Sequence, residues 1–351
     1  MFIGLDLGTS GVRALLVDAS GAALASADAA VGVAHPHPGW SEQDPADWVA
    51  AARQALAELR AKAPEAVAAL RGIGLSGQMH GATLLDAGGD VLRPCILWND
   101  TRSHAQAARL DAIPAFREIS GNIVFPGFTA PKLVWVAENE PDVFARVARV
   151  LLPKDYLSYW LTGRAVSEMS DSAGTSWMDV GARDWSAELL ELSGMTRAQM
   201  PELIEGTGVV GALRGELAAE LGLPEGVQVV AGGGDNAAAA CGVGALGEGD
   251  GFVSLGTSGV LLAARDGFAP RADSAVHTFC HAVPGAWYQM GGILAATERS
   301  DLTVAVYDGD TPPSVRRTLR DRGHMVLTNP YMLHSGILPN HAKWAELFPA
   351  A

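Results

Sequence analysis

Residues 229–259 read VVAGGGDNAAAACGVGALGEGDGFVSLGTSG, and the fold turns on how this stretch is read. The β-branched run at 227–230 predicts a buried strand. It ends in Gly232-Gly233-Gly234, and Asp235-Asn236 then open an alanine-rich segment with strong helix propensity. A carboxylate at such a junction sits where a helix begins, and free backbone N–H groups there favour an anion. Further on, Gly256-Thr257-Ser258-Gly259 repeats Gly8-Thr9-Ser10-Gly11 from the start of the chain.

The opening segment, FIGLDLGTSGVRALLVD at residues 2–18, alternates well enough for two strands joined by a turn at Gly8–Gly11. A third strand at 22–27 should follow the Ser20-Gly21 turn. Glycines flanking Thr9-Ser10 let backbone approach a ligand closely, and the two hydroxyls add donors. Such a hairpin suits a nucleotide phosphate, with Asp6 placed to hold a metal ion through water. One copy also fits an ordinary glycine-rich hairpin. Two copies, each between apolar strands, lie too far apart for a solenoid repeat. They predict a duplicated pair of domains that present one phosphate loop each to a shared cleft.

Composition bounds the alternatives. The 351 residues allow two domains with real cores, and 48% hydrophobic with 18% charged residues is globular rather than disordered. A net charge of −14 argues against sequence-independent nucleic-acid binding, yet backbone amides can still bind phosphate. Cys95, Cys241 and Cys280 show no metal-like spacing and read as reduced, buried thiols of a cytoplasmic protein. The N-terminus lacks a charged n-region and cleavage site. No apolar run reaches the roughly 18 residues a membrane span needs.

Between the hairpins, residues 47–59 carry helical spacing. Gly72–Ser76 reads as a short buried strand, and Gln78-Met79-His80 as the loop at its end. Ligands of open α/β sheets bind at strand carboxyl ends, so Gln78 and His80 are placed for a polar substrate. Ile96–Arg102 predicts another strand running into polar groups, with Trp98, Asn99, Asp100 and Arg102 suited to a polyhydroxyl ligand. Asn99 or Asp100 could equally cap a helix. Pro131 is expected at a first helical position. Lys154 and Asp155 are expected to pair near the cleft, for less than about 1 kcal/mol if exposed.

Taken in order, GLDLGTSGVR, WSEQDP, GQMHGATLLD, ILWNDTR, GFTAPKLVWV, LLPKDYL, MSDSAGTSW, AGGGDNAA, SLGTSGV and AVHTFCH resemble the FGGY carbohydrate kinases from residue 1 to about 292. GQMHG points to the xylulose branch. The resemblance implies an α/β, actin/hexokinase-like (ribonuclease H-like) ATPase fold and ATP- and Mg²⁺-dependent phosphorylation of D-xylulose at O5. Asp235 would then be the catalytic base. Gln78, Met79, His80, Trp98, Asn99, Asp100 and Asn236 would shape the sugar site with it. Asp6 would bind Mg²⁺, while Gly8, Thr9, Ser10, Arg13, Gly256, Thr257 and Ser258 would hold the phosphates. The partners implied are D-xylulose and ATP, without nucleic acid or membrane, and with room for a homodimer.

The likeness stops near Gly292. The family's adenosine motif, GGGxxS, has no counterpart, because the one Gly-Gly-Gly is 232–234. Residues 300–348 instead resemble a fragment of a DEAD/DEAH-type helicase, without a Walker A loop or acidic box. Strands are expected at 303–307 and 325–327 with a helix between, and Arg316, Arg317, Arg320 and Arg322 read as a solvated helix face. The expected organisation is a sugar-binding domain at 1–245, the start of a truncated second domain at 246–295, and the helicase-like segment at 296–351. A non-catalytic sugar-binding remnant, or a kinase for another ketose such as ribulose, stay open as alternatives.

Overall fold

The computed structural model describes residues 1–255, 259–293, 304–307 and 325–328. Alternation along the first segments drives the central sheet. In β1 (Phe2–Gly8), Ile3, Leu5 and Leu7 point into the core while Asp6 lies on the opposite face. β2 (Gly11–Val17) buries Val12, Ala14 and Leu16 in the same way. β3 (Ala23–Ala30) runs three residues beyond its expected end. With β4 (Gly72–Gly77), β5 (Val209–Ala212) and β6 (Gln228–Gly234) these form one six-stranded sheet, in the order β5–β6–β4–β1–β2–β3. β1, β2 and β3 are an antiparallel meander, whereas β1, β4 and β6 are parallel. Their carboxyl ends therefore lie side by side.

The register puts one polar row across the sheet: Asp28 opposite Arg13, Arg13 opposite Asp6, Asp6 opposite Ser76, and Ser76 opposite Gly233. The other face is sealed by α1 (Pro45–Lys62), which buries Trp48, Ala51, Ala52, Ala55, Leu56 and Leu59. This helix is longer than the expected 47–59 because Asp44 caps it, accepting from Ala46 N–H at 2.9 Å, and Pro45 fits the first turn. α2 (Thr129–Asn139) starts two residues before Pro131, so the proline is third in the helix, where its missing N–H still has no intrahelical duty. α3 (Pro153–Thr162) and the single turn α4 (Met169–Ser172) complete the scaffold behind the site.

β6 departs from expectation in a useful way. It does not stop at Val230 but continues through all three glycines, with a register shift between Val230 and Gly233. α5 (Asp235–Val243) follows at once, so strand and helix meet at Asp235.

β7 (Gly251–Leu255), β8 (Gly259–Arg265), β9 (His277–Cys280) and β10 (Trp287–Ile293) form a second sheet in the order β7–β8–β10–β9. The chain divides into two compact units. The first comprises 1–252 with 261–291, and the second 253–260 with 292–351. Within the second unit, β11 (Val304–Tyr307) and β12 (Met325–Thr328) pair with each other in parallel. The expected helix between them lies outside the described residues. Cys95 and Cys280 are buried as expected, but Cys241 is exposed on α5. Among the described residues no helix is long and apolar enough to cross a membrane.

Candidate active site

The junction of β6 and α5 demands glycine three times. Gly232 has φ +77°, and a Cβ there would strike the Leu75 carbonyl of β4. A Cβ on Gly233 would meet Ala282 at 2.9 Å, and one on Gly234 would meet Met79 Cγ at 2.9 Å. The glycines thus let the first residue of α5 come close to the loop that leaves β4. Asp235 Oδ1 accepts from Asn236 N–H at 2.7 Å and from Asn236 Nδ2 at 2.8 Å. Loss of hydration raises the Asp235 carboxyl to about 6; the Asp6 charge adds to the rise and the Asn236 hydrogen bonds oppose it. The side chain remains open to solvent, so water screens part of this rise. At neutral pH the group is an ionised acceptor for a proton.

The loop after β4 supplies Gln78, Met79 and His80. Gln78 N–H donates to Leu7 O at 2.8 Å, which ties the loop to β1. Met79 is buried against Gly234. His80 has the left-handed backbone angle φ +69°, unusual for a residue with a Cβ. Its ring stacks on Phe128, with centroids 4.6 Å apart and planes at 18°. Its Nδ1 lies 2.7 Å from Gly174 O, and a carbonyl only accepts, so Nδ1 carries the proton and Nε2 is the acceptor. Burial pushes the imidazole down to about 3, so His80 is neutral across the physiological range. Phe279 and His277 extend the aromatic wall from β9.

The first hairpin is joined to this loop through side chains. Thr9 Oγ1 donates to Gln78 Oε1 at 3.1 Å and accepts from Trp98 Nε1 at 2.9 Å. Gln78 Nε2 donates to Gln43 Oε1 at 3.0 Å, and Gln43 Nε2 donates to Thr9 O at 2.7 Å. The Thr9 hydroxyl, expected at a phosphate, therefore has its only proton engaged inward. What Thr9 can offer a phosphate is its backbone. Gly11 is needed for close packing, since a Cβ would meet Ala29 O at 2.6 Å. Arg13 bonds Asp28 at 2.6 Å across β2 and β3 on the exposed face. Gly256, Thr257 and Ser258 lie outside the described residues.

The four residues expected after Ile96, Trp98, Asn99, Asp100 and Arg102, are not brought together at one ligand surface. The strand there is only Cys95–Ile96, and the helix begins at His104, well past Asn99 and Asp100. Asp100 is buried and accepts from Ser41 N–H at 2.6 Å and from Arg102 Nη2 at 2.7 Å. Its carboxylate is an internal anchor. Asn99 is exposed and lines a surface hollow of about 450 Å³ with His35, His37 and Trp40. Trp98 alone of the four is tied to the hairpin.

Two lysines deepen the site. Lys154 is fully buried rather than exposed. Its Nζ bonds Asp155 Oδ1 at 2.6 Å and lies 3.3 Å from Glu168 Oε1 and 3.6 Å from Asp171 Oδ2. Ser170 Oγ donates to Glu168 at 2.9 Å and accepts from Gly234 N–H at 3.0 Å, so this charge cluster reaches the residue before Asp235. Lys132 is also fully buried, with Nζ 2.8 Å from His80 O and 2.7 Å from Gly127 O. Sequence reading passed over Ser170, Gly174 and the buried roles of both lysines. Pro131 marks a helix start in GFTAPKLVWV, whereas LLPKDYL reads as a loop and instead opens α3, and neither stretch carries a sign of which side chains turn inward.

The residues present suit a hydrated divalent cation. Asp6 is close enough for its charge to raise Asp235, a repulsion that a cation relieves. Among the described residues no group of three or more His, Cys, Asp or Glu gathers, so a cation held by Asp6 would rest on one or two carboxylates. Mg²⁺ is commonly held that way when substrate phosphates and water complete its shell.

Comparison with known proteins accords with this geometry. Residues 1–242 match the N-terminal domain of the FGGY family of carbohydrate kinases. The xylulose kinase of Klebsiella pneumoniae is 49% identical over 302 residues, covering 86% of this chain and 62% of that protein. Among solved structures, a xyloylose kinase from Brucella ovis superposes with a TM-score of 0.82 at 63% identity, over 84% of this chain and 60% of that one. A xylulose kinase from Rhodospirillum rubrum gives 0.79 at 33% identity, with the same two coverages. The chain thus spans about three-fifths of the length of these relatives. Its architecture is the expected actin/hexokinase-like ATPase fold. The chain belongs to the FGGY family of carbohydrate kinases.

Proposed function

We propose that this chain carries the sugar site and catalytic base of an ATP-dependent D-xylulose kinase that phosphorylates O5. The observation that carries the reading is the packing of Met79 on Gly234, which sets the His80 loop against the start of α5, where Asp235 lies. His80 Nε2, a neutral acceptor, takes a hydrogen bond from a sugar hydroxyl, with Met79, Trp98 and Asn236 shaping the site around it. Asp235 would accept the proton of the attacking hydroxyl as the new O–P bond forms, the bond between the γ-phosphorus of ATP and its bridging oxygen breaks, and ADP leaves. Phosphoryl transfer depends on positioning and charge neutralisation more than on base strength, so an ionised carboxylate at a helix start is adequate. ATP with Mg²⁺ supplies the phosphoryl group and the cationic charge. Asp6 would hold the cation. The backbone of Gly8, Thr9 and Ser10, with Arg13, would face the phosphates.

The identity of the relatives supports xylulose over other ketoses. The helicase-like resemblance of 296–351 adds no motor activity to this reading, and the −14 charge speaks against nucleic acid as a partner. A homodimer is compatible with it. The test is D-xylulose-dependent ADP release by the whole chain, with D-ribulose in parallel. Release that disappears in Asp235→Asn, with xylulose binding retained, is the expected result. Xylulose binding without release, unchanged by Asp235→Asn, would mean a sugar-binding remnant. Faster turnover of ribulose would replace the substrate.

A further inference from the structure

The geometry points to Lys132 as a positioning residue for the sugar site: one buried amine holds the carbonyls of His80 and Gly127 together, and so fixes His80 against Phe128. This rests on the sugar-site reading of His80 above. The Lys132 amine donates to His80 O at 2.8 Å and to Gly127 O at 2.7 Å, and Gly127 immediately precedes the stacking partner Phe128. A second donor, Thr129 Oγ1, reaches the same His80 carbonyl at 3.1 Å. These bonds oppose a backbone that would otherwise relax, because φ +69° is unfavourable for histidine. The clamp also reaches Trp98, since Gly127 packs so closely on the Trp98 carbonyl that no Cβ would fit.

Three facts argue against a merely space-filling lysine. It is fully buried, it has no carboxylate within ion-pair distance among the described residues, and it lies in the first turn of α2, where the helix dipole disfavours a cation. A methionine would fill the volume without that penalty. What methionine lacks is the pair of donors. With the carbonyl held from below and Nδ1 held by Gly174 O, the ring has no freedom left, and Nε2 keeps one direction.

The test is calorimetric binding of D-xylulose to the whole chain and to Lys132→Met, alongside thermal unfolding and ¹⁵N-histidine spectra of His80. In Lys132→Met we expect the dissociation constant to rise about tenfold or more, the unfolding midpoint to stay near wild type, and the His80 nitrogen shifts to move. Thr129→Val, which removes one donor, is expected to weaken binding about threefold, and it carries the test if Lys132→Met does not fold. Wild-type affinity in the variants, or loss that only follows the unfolded fraction, overturns the proposal. Should wild type itself fail to bind xylulose, the functional reading falls, and the His80 spectra alone decide. Unmoved nitrogen shifts in Lys132→Met then overturn the clamp, while shifted ones uphold it.

Discussion

Lys132 and Lys154 are the same residue type, both fully buried and both in the first turn of a helix, yet their surroundings are opposite. Around Lys154 stand Asp155, Glu168 and Asp171; beside Lys132 Nζ stand two backbone carbonyls. Burial alone would lower both amines. For Lys132 it does, to about 7. For Lys154 the three carboxylates outweigh burial and hold the ammonium well above its ordinary value. Asp171 is in turn pushed up by burial and by the Asp155, Glu168 and Asp235 charges, and neither of its oxygens has a hydrogen-bond partner. The lesson is that a buried charge is defined by its neighbours. One lysine neutralises a cluster behind the Asp235 junction; the other orients a loop.

The largest expected effect breaks the first arrangement. Lys154→Met leaves three carboxylates buried without their cation, a change of the kind that costs about 3–5 kcal/mol. Urea unfolding at pH 7 measures it, and a loss below about 1 kcal/mol would show that the buried carboxylates do not depend on the lysine charge. The same substitution should loosen Gly234 through Ser170, so Asp235-dependent turnover is expected to fall with it.

The second prediction separates the lysines by pH. Unfolded Lys132 titrates near 10.4, whereas the folded group does so at about 7. Above pH 7 the unfolded chain therefore binds a proton that the folded chain does not, and stability rises with pH, by at most about 1.4 kcal/mol per unit. The rise should end near pH 9. Beyond that, the buried thiols of Cys95 and Cys280, raised to about 11 and about 12, keep protons that the unfolded chain has lost. Lys132→Met is expected to abolish the rise between pH 7 and 9 in a series of unfolding curves. An unchanged slope in the variant would assign the titration elsewhere.

Sequence alone went furthest where the physics is local. Alternation at residues 2–17 and the glycines at 232–234 located the hairpin, the sheet and the Asp235 junction, because period and backbone freedom are written in adjacent residues. It went less far where a partner is remote. Nothing near Asp100 reveals that Ser41 N–H takes its carboxylate, and nothing near Thr9 reveals that Gln78 and Trp98 engage its hydroxyl. The acceptor state of His80 depends on Gly174, and its backbone angle on Lys132, both distant in the chain. Inward-facing lysines are the hardest to foresee, since a cation in a first turn reads as exposed.

The smallest expected effect belongs to the cation that does face solvent. Arg13 bonds Asp28 at 2.6 Å, but the two side chains are 67% and 58% exposed. Water screens their attraction, and holding two long side chains in one geometry opposes it, so such a pair is worth about 0–1 kcal/mol. Arg13→Gln is therefore expected to change unfolding stability by less than about 0.5 kcal/mol at 0.15 M salt, where the Debye length is about 8 Å. Its register partner on β1 is Asp6, so in the proposed function its charge would bear on a bound phosphate more than on the fold. Nucleotide affinity should accordingly weaken while the unfolding midpoint holds. A stability loss above about 1 kcal/mol would place Arg13 with the buried lysines as a structural cation, and unchanged nucleotide affinity would remove it from the phosphate site.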